Sequence, residues 1–176
     1  MAAICVYCSS SETIEAGYPR LAARLGAALA AGGHTLVSGG GSVGMMGAVA
    51  RAARAGGAHT VGVIPEHLLG LEVGDRDADE LIVVKTMRER KQLMDERSDA
   101  FIALPGGIGT FEELFEIWTS RALGMHAKPV LVLDPSGFFD PLWRWLDELV
   151  GAGFVRAGAR DTLTVVRTVD EALARI

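Results

Sequence analysis

Three short stretches of this chain place residue types at spacings that could do chemistry. The first is Ser38-Gly39-Gly40-Gly41-Ser42-Val43-Gly44-Met45-Met46-Gly47. Glycines tolerate positive φ and let backbone amides approach a phosphate, which the start of a following helix also attracts. Gly39, Gly41 and Gly44 fit G-x-G-x-x-G, but a dinucleotide fingerprint belongs to the first strand–helix unit and this one sits in the second. A P-loop is excluded because Met45 stands where lysine would follow Gly44. Two readings remain: a tight strand-to-helix turn, or an anion site formed by Gly40, Gly41 and Ser42, and the second is preferred.

The second stretch is Leu104-Pro105-Gly106-Gly107-Ile108-Gly109-Thr110-Phe111-Glu112-Glu113. Its glycines could offer a nest of amides, with the Thr110 hydroxyl as a further donor. Thr110 and Glu113 equally spell a capping box, T-x-x-E, at the start of a helix. A carboxylate there stays ionised beside the helix dipole and could face a cationic transition state. Glu112 points about 100° away around the helix.

The third stretch is Thr86-Met87-Arg88-Glu89-Arg90-Lys91. Cations in the first turns of a helix oppose its dipole, so they imply either ion pairs or an anionic ligand. Glu89, Asp95 and Glu96 could supply the pairs. Arg90 has the planar, permanently charged fork that suits phosphate or ribose oxygens.

The remaining chemistry-bearing residues exclude other classes. Cys5 and Cys8 form a C-x-x-C on a strand, where residues three apart face opposite sides, so no redox pair is expected. His34, His59, His67 and His126 show no metal-ligand spacing. Lys+Arg 17 against Asp+Glu 22 argues against a nucleic-acid-binding surface, though not against one phosphate-sized basic pocket. No apolar run could span a bilayer, and the first residues lack the pattern of a signal peptide. A cytoplasmic protein with no membrane or nucleic-acid partner is expected.

These motifs need elements to position them. Short β-branched runs at 4–8, 35–38, 60–64, 81–85, 100–104, 130–133 and 163–166 alternate with helical patterns at 18–31, 44–55, 86–97, 110–123, 141–150 and 170–175. Nearly continuous apolar strands alternating with helices predict an α/β fold. The expected form is a Rossmann-like, doubly wound parallel sheet of about seven strands, helices on both faces, in one domain over 1–176. The acidic segment 66–80 reads as a loop or lid. In such sheets ligands collect at the carboxyl ends of the strands, where all three stretches fall.

Met87-x-x-Arg90-Lys91, followed by Pro105-Gly106-Gly107-x-Gly109-Thr110-x-x-Glu113, resembles the signature of the LONELY GUY family of cytokinin-activating phosphoribohydrolases. The 39–47 loop and the start Ile4-Cys5-Val6-Tyr7-Cys8-Ser9-Ser10-Ser11 are similar to the same family's other landmarks. Such proteins often carry a lysine decarboxylase label. A pyridoxal enzyme needs a Schiff-base lysine, and Lys85, Lys91 and Lys128 lie in no such motif. The chain departs from the family at Ser9 (usually Gly), Ser38 (usually Tyr) and Arg88 (usually His).

The resemblance implies a homodimer with no cofactor or catalytic metal, acting on AMP and N6-prenylated AMP. It assigns catalysis to Arg90 and Glu113. Nucleotide binding falls on Glu72, Arg90, Lys91, Gly107, Ile108, Gly109, Thr110, Phe111, Glu112, Glu113 and Thr119. The products would be free base and ribose 5-phosphate. Two alternatives stand beside this: a carrier of nucleotide or molybdenum cofactor without hydrolysis, and a nucleosidase accepting many nucleoside monophosphates. Phe111, Leu114, Phe115 and Trp118 recur at helical spacing and could serve either the dimer contact or the core.

Overall fold

The computed structural model describes residues 1–70 and 74–176. Its seven strands are β1 (Ala3–Tyr7), β2 (Thr35–Ser38), β3 (Thr60–Pro65), β4 (Glu80–Val84), β5 (Ala100–Ala103), β6 (Val130–Leu133) and β7 (Thr164–Val166). The helices are α1 (Gly17–Ala31), α2 (Gly44–Ala55), α3 (Met87–Glu96), α4 (Ile108–Ala122), α5 (Asp140–Gly151), α6 (Ala157–Arg160) and α7 (Val169–Leu173). The strands form one sheet in the order β4-β3-β2-β1-β5-β6-β7. Every pairing in it is parallel. The expected α/β class and strand number are therefore found.

Alternation along the strands explains the two layers. Ile4, Val6 and Cys8 enter one core with Leu21, Leu25, Leu29, Met45 and Val49 from α1 and α2. Cys5 and Tyr7 enter the other, against Met94, Leu114, Ile117, Trp118 and Trp143 from α3, α4 and α5. The two cysteines are free, buried and on opposite faces, as their spacing requires. Burial, and after it the charge of Glu113, pushes both thiols above the ordinary range. Leu114 and Trp118 belong to the core and Phe111 and Phe115 pack partly against it, so burial accounts for that stripe.

Chain order reverses at β1. Successive units step outward to β4 on one side, and the chain then returns to place β5 on the other side of β1. The gap above β1 and β5 is thus the switch point where doubly wound sheets open a crevice. Three segments rim it: 8–11 after β1, 39–44 after β2, and 105–110 after β5.

Beyond small shifts at element ends, two departures from the expected elements stand out. Helix α4 starts at Ile108 with Gly107 as its cap, two residues before the expected start. A short α6 lies between α5 and β7, and the Trp118 indole N–H donates to its Ala159 carbonyl at 2.9 Å. Glu72, expected to bind nucleotide, lies outside the described residues. Among the described residues, no helix is long and apolar enough to cross a membrane, and no group of acidic, His and Cys side chains could hold a metal.

Candidate active site

Helix α3 carries the basic residues, and its start is fixed by a device the sequence reading passed over. The Thr86 side chain accepts the Glu89 N–H at 3.1 Å, while the Glu89 carboxylate accepts the Lys85 N–H at 2.8 Å. This reciprocal cap satisfies otherwise orphaned amides and sets a negative charge at the positive end of the helix. Its sequence signature is the T-x-x-E pattern of Thr86 and Glu89.

Arg90, one turn in, is only 4% exposed. Its Nε donates to the Val63 carbonyl at 3.1 Å and its Nη2 to the Gly39 carbonyl at 3.2 Å. Its Nη1 stands 3.6 Å from Oε1 of Glu113, itself 7% exposed. A buried guanidinium needs such partners, since an unpaired charge in the interior is very costly. Lys91 points elsewhere and bonds both Glu112 and Glu116. Burial works against its charge, but these two carboxylates outweigh it and raise the ammonium above the usual lysine range. An amine held protonated in this way is a poor Schiff-base former.

The first glycine turn has a different use from the expected anion site. The Gly40 amide donates to the Ser38 hydroxyl at 3.3 Å and the Gly41 amide to the Met46 sulfur at 3.0 Å. At the start of α2, the Met45 and Met46 amides both donate to the Ser9 carbonyl, at 3.0 and 3.2 Å. Those donors are thus already engaged. Gly40 and Gly41 are buried and line no cavity beside Arg90, while Ser42 lines a separate depression with Asp75 and Arg76. Glycine is required here for another reason. A Cβ at Gly39 would come within 1.8 Å of Arg90 Nη2, and Gly40 has φ +74°. The turn is a socket for Arg90.

The second glycine turn is open. Gly107 caps α4 without any side-chain cap bond, so Thr110 is the third helical residue and the capping-box reading of Thr110 and Glu113 is not the one realised. The amides of Ile108, Gly109 and Thr110 have no carbonyl one turn back to bond. Gly107 and Gly109 are exposed, and a Cβ on either would meet nothing within 4 Å. Glu113 follows in the second turn, buried and facing Arg90.

Two cavities meet at Glu113. The smaller, about 240 Å³, is lined by Cys8, Ser9, Ser10, Ser11, Met46, Arg90, Gly107, Gly109, Thr110 and Glu113. The larger, about 550 Å³, lies in the α3–α4 groove and is lined in part by Tyr7, Arg88, Lys91, Gln92, Glu113 and Ser120. Of the expected residues, Arg90, Lys91, Gly107, Gly109, Thr110 and Glu113 come together here. Phe111 packs edge-on against Phe139, at 5.6 Å between ring centres, and Ile108 and Thr119 are exposed and line neither cavity. Glu112 reaches the site only through Lys91. Ser9, Ser10 and Ser11 were missed as site residues, although they follow the central strand at its carboxyl end, where the switch-point rule directs attention.

With this geometry in view, the likeness to known proteins is informative. The family model described as "Possible lysine decarboxylase" matches residues 46–176. The cytokinin riboside 5'-monophosphate phosphoribohydrolase of Mycobacterium tuberculosis is 55% identical over 170 residues, covering 97% of this chain and 90% of that protein. The LOG phosphoribohydrolase of Oryza sativa subsp. japonica is 44% identical over 173 residues, covering 98% and 72%. Among solved structures, the molybdenum cofactor binding protein of Rippkaea orientalis superposes with a TM-score of 0.73 at 22% identity, covering 98% of this chain and 93% of that one. That last likeness is one of fold. The chain belongs to the family described as possible lysine decarboxylases, alongside the cytokinin riboside 5'-monophosphate phosphoribohydrolases.

Proposed function

We propose that this chain hydrolyses the N-glycosidic bond of adenosine 5'-monophosphate and its N6-substituted forms, releasing free base and ribose 5-phosphate. The observation that carries this is the buried Arg90–Glu113 pair beside the open amides of the second glycine turn. The names of its relatives describe the same reaction.

The smaller cavity offers the 5'-phosphate the amides of Gly107, Gly109 and Thr110 at the positive end of α4, with the Thr110 and Ser9–Ser11 hydroxyls beside them. The ribose then lies over Glu113. Cleavage builds positive charge on the sugar ring, as in other glycoside chemistry, and an ionised carboxylate stabilises it or orients the attacking water. Arg90 does not serve as a proton donor, because guanidinium keeps its protons at neutral pH. It positions Glu113 and the sugar. Lys91 acts at one remove, tying Glu112 and Glu116 along the rim. The same proposal places the protein in the cytoplasm as a homodimer. Ile108, Leu123 and Met125 leave apolar surface on α4 and the turn after it, at 88, 71 and 73% exposure.

The test is base release from AMP and N6-isopentenyl-AMP, with adenosine and isopentenyladenosine as controls. Release from the monophosphates alone is expected, and Glu113→Gln should lower turnover by about 10²-fold or more. Release from none of the four by folded protein would sink the hydrolase and favour a carrier. Equal release from GMP and pyrimidine nucleotides would replace the adenine preference with broad specificity.

A further inference from the structure

The fixed position of Arg90 has a cause beyond its own bonds. Its guanidinium leans on the carbonyls of Gly39 and Val63, so it is only as well placed as the first glycine turn. That turn is itself held from behind. The Asp75 amide donates to the Gly40 carbonyl at 2.8 Å, and Gly41 and Gly74 form an isolated antiparallel bridge. The Gly74 amide donates in turn to the Leu69 carbonyl at 3.2 Å, which ties this piece of chain to the end of β3.

What locks Asp75 in place is Arg54, on the last turn of α2. Its Nη1 and Nη2 reach the two Asp75 oxygens at 2.7 and 3.0 Å, the two-pronged geometry in which an arginine–carboxylate pair is strongest and most directional. Both side chains are largely shielded from water, at 18% and 7% exposure. Most other ion pairs of the described chain are far more open; Arg97–Glu80, for example, has side chains 47% and 39% exposed. Arg54 and Asp75 touch neither cavity at Glu113. The pair therefore sits on the far side of the glycine turn from the chemistry, with one continuous line of bonds running from it to Arg90.

We propose that Arg54 and Asp75 are positioning residues for the reaction, acting through the Gly39–Gly41 turn to hold the Arg90 guanidinium against Glu113. This rests on the hydrolase reading above. The phosphate-facing amides lie on the other glycine turn, anchored to β5 and α4, so loosening the clamp disturbs Arg90 while leaving phosphate binding nearly as it was. The signature is a selective loss of kcat.

The experiment measures kcat and KM for AMP, together with thermal midpoints, for the intact protein and for Arg54→Met, Asp75→Asn, their double variant and Arg54→Lys. Arg97→Met, which removes an open ion pair elsewhere, serves as the reference. Arg54→Met and Asp75→Asn should each lower kcat by about tenfold with KM changed less than about twofold, and the double variant should be no worse than either, because both remove one interaction. Arg54→Lys should recover part of the loss by restoring charge without the two-pronged fit. Wild-type turnover with an unchanged kcat in Arg54→Met would overturn the clamp while leaving the hydrolase standing. A rise in KM at constant kcat would overturn it too and assign the pair to binding. Should Arg54→Met fail to fold, Arg54→Lys decides alone: an undiminished kcat overturns the clamp. Wild-type protein without turnover on any nucleotide would remove the hydrolase reading and this inference with it.

Discussion

The two glycine turns lie side by side at the switch point, each between a parallel strand and a helix, and they do opposite things. In the turn after β2, the Gly40, Gly41, Met45 and Met46 amides are all bonded within the protein, and the carbonyls of Gly39 and Gly40 hold Arg90 and Asp75. In the turn after β5, the cap makes no side-chain bond and the first amides of α4 face a cavity. Glycine serves packing in the first; in the second, Gly106 makes room for Thr110 while Gly107 and Gly109 leave the turn open. The difference shows that a glycine-rich strand–helix turn is not a phosphate site by composition. What decides is whether its donors have already been taken by the fold.

The largest effect is expected from Gly39→Ala. The added methyl would stand 1.8 Å from Arg90 Nη2, and displacing a catalytic group by about an ångström can cost on the order of 10²-fold in rate. A kcat within about threefold of wild type on AMP would show that the first turn is no socket. Next comes Thr110→Ala, which removes a hydroxyl from the smaller cavity. A lost hydrogen bond to a charged group is worth roughly 1.5–3 kcal/mol, so KM for AMP should rise about tenfold or more while kcat changes little; an unchanged KM would move the phosphate elsewhere. The smallest effect sharpens the contrast between the two T-x-x-E motifs. Thr86→Ala deletes the cap seen on α3 and should cost about 1 kcal/mol in urea unfolding. The stability cost of Thr110→Ala should carry no cap contribution, and equal costs would erase the distinction.

Much of the architecture was legible because its signals are local. Apolar runs at 35–38 and 130–133 became β2 and β6 with the same bounds, and the other strands moved by a residue or so at their ends. The site was legible in part. Arg90 and Glu113 stood out by residue type and motif. That they meet 3.6 Å apart depends on the packing of α3 beside α4, which no spacing along the chain encodes. The preference for Gly40 and Gly41 was not met because the side chains of Ser38 and Met46, from the same turn, take their amides, an arrangement that composition and spacing do not announce. Of the T-x-x-E motifs at Thr86 and Thr110, the one at Thr86 caps its helix, whereas the residues before Thr110 let α4 begin at Ile108. Arg54 and Asp75 carried no signal at all, since a lone arginine in an alanine-rich helix and one aspartate in an acidic loop are ordinary.

The anchoring of Arg90 also bears on timing. A free arginine side chain samples many rotamers, and freezing it costs about 2 kcal/mol. Here two backbone carbonyls and a buried setting select one arrangement as the chain folds. That entropy is surrendered once, during folding, instead of at each encounter with substrate. The guanidinium does not have to search for its place when a nucleotide arrives, and the first turnover should proceed without a lag.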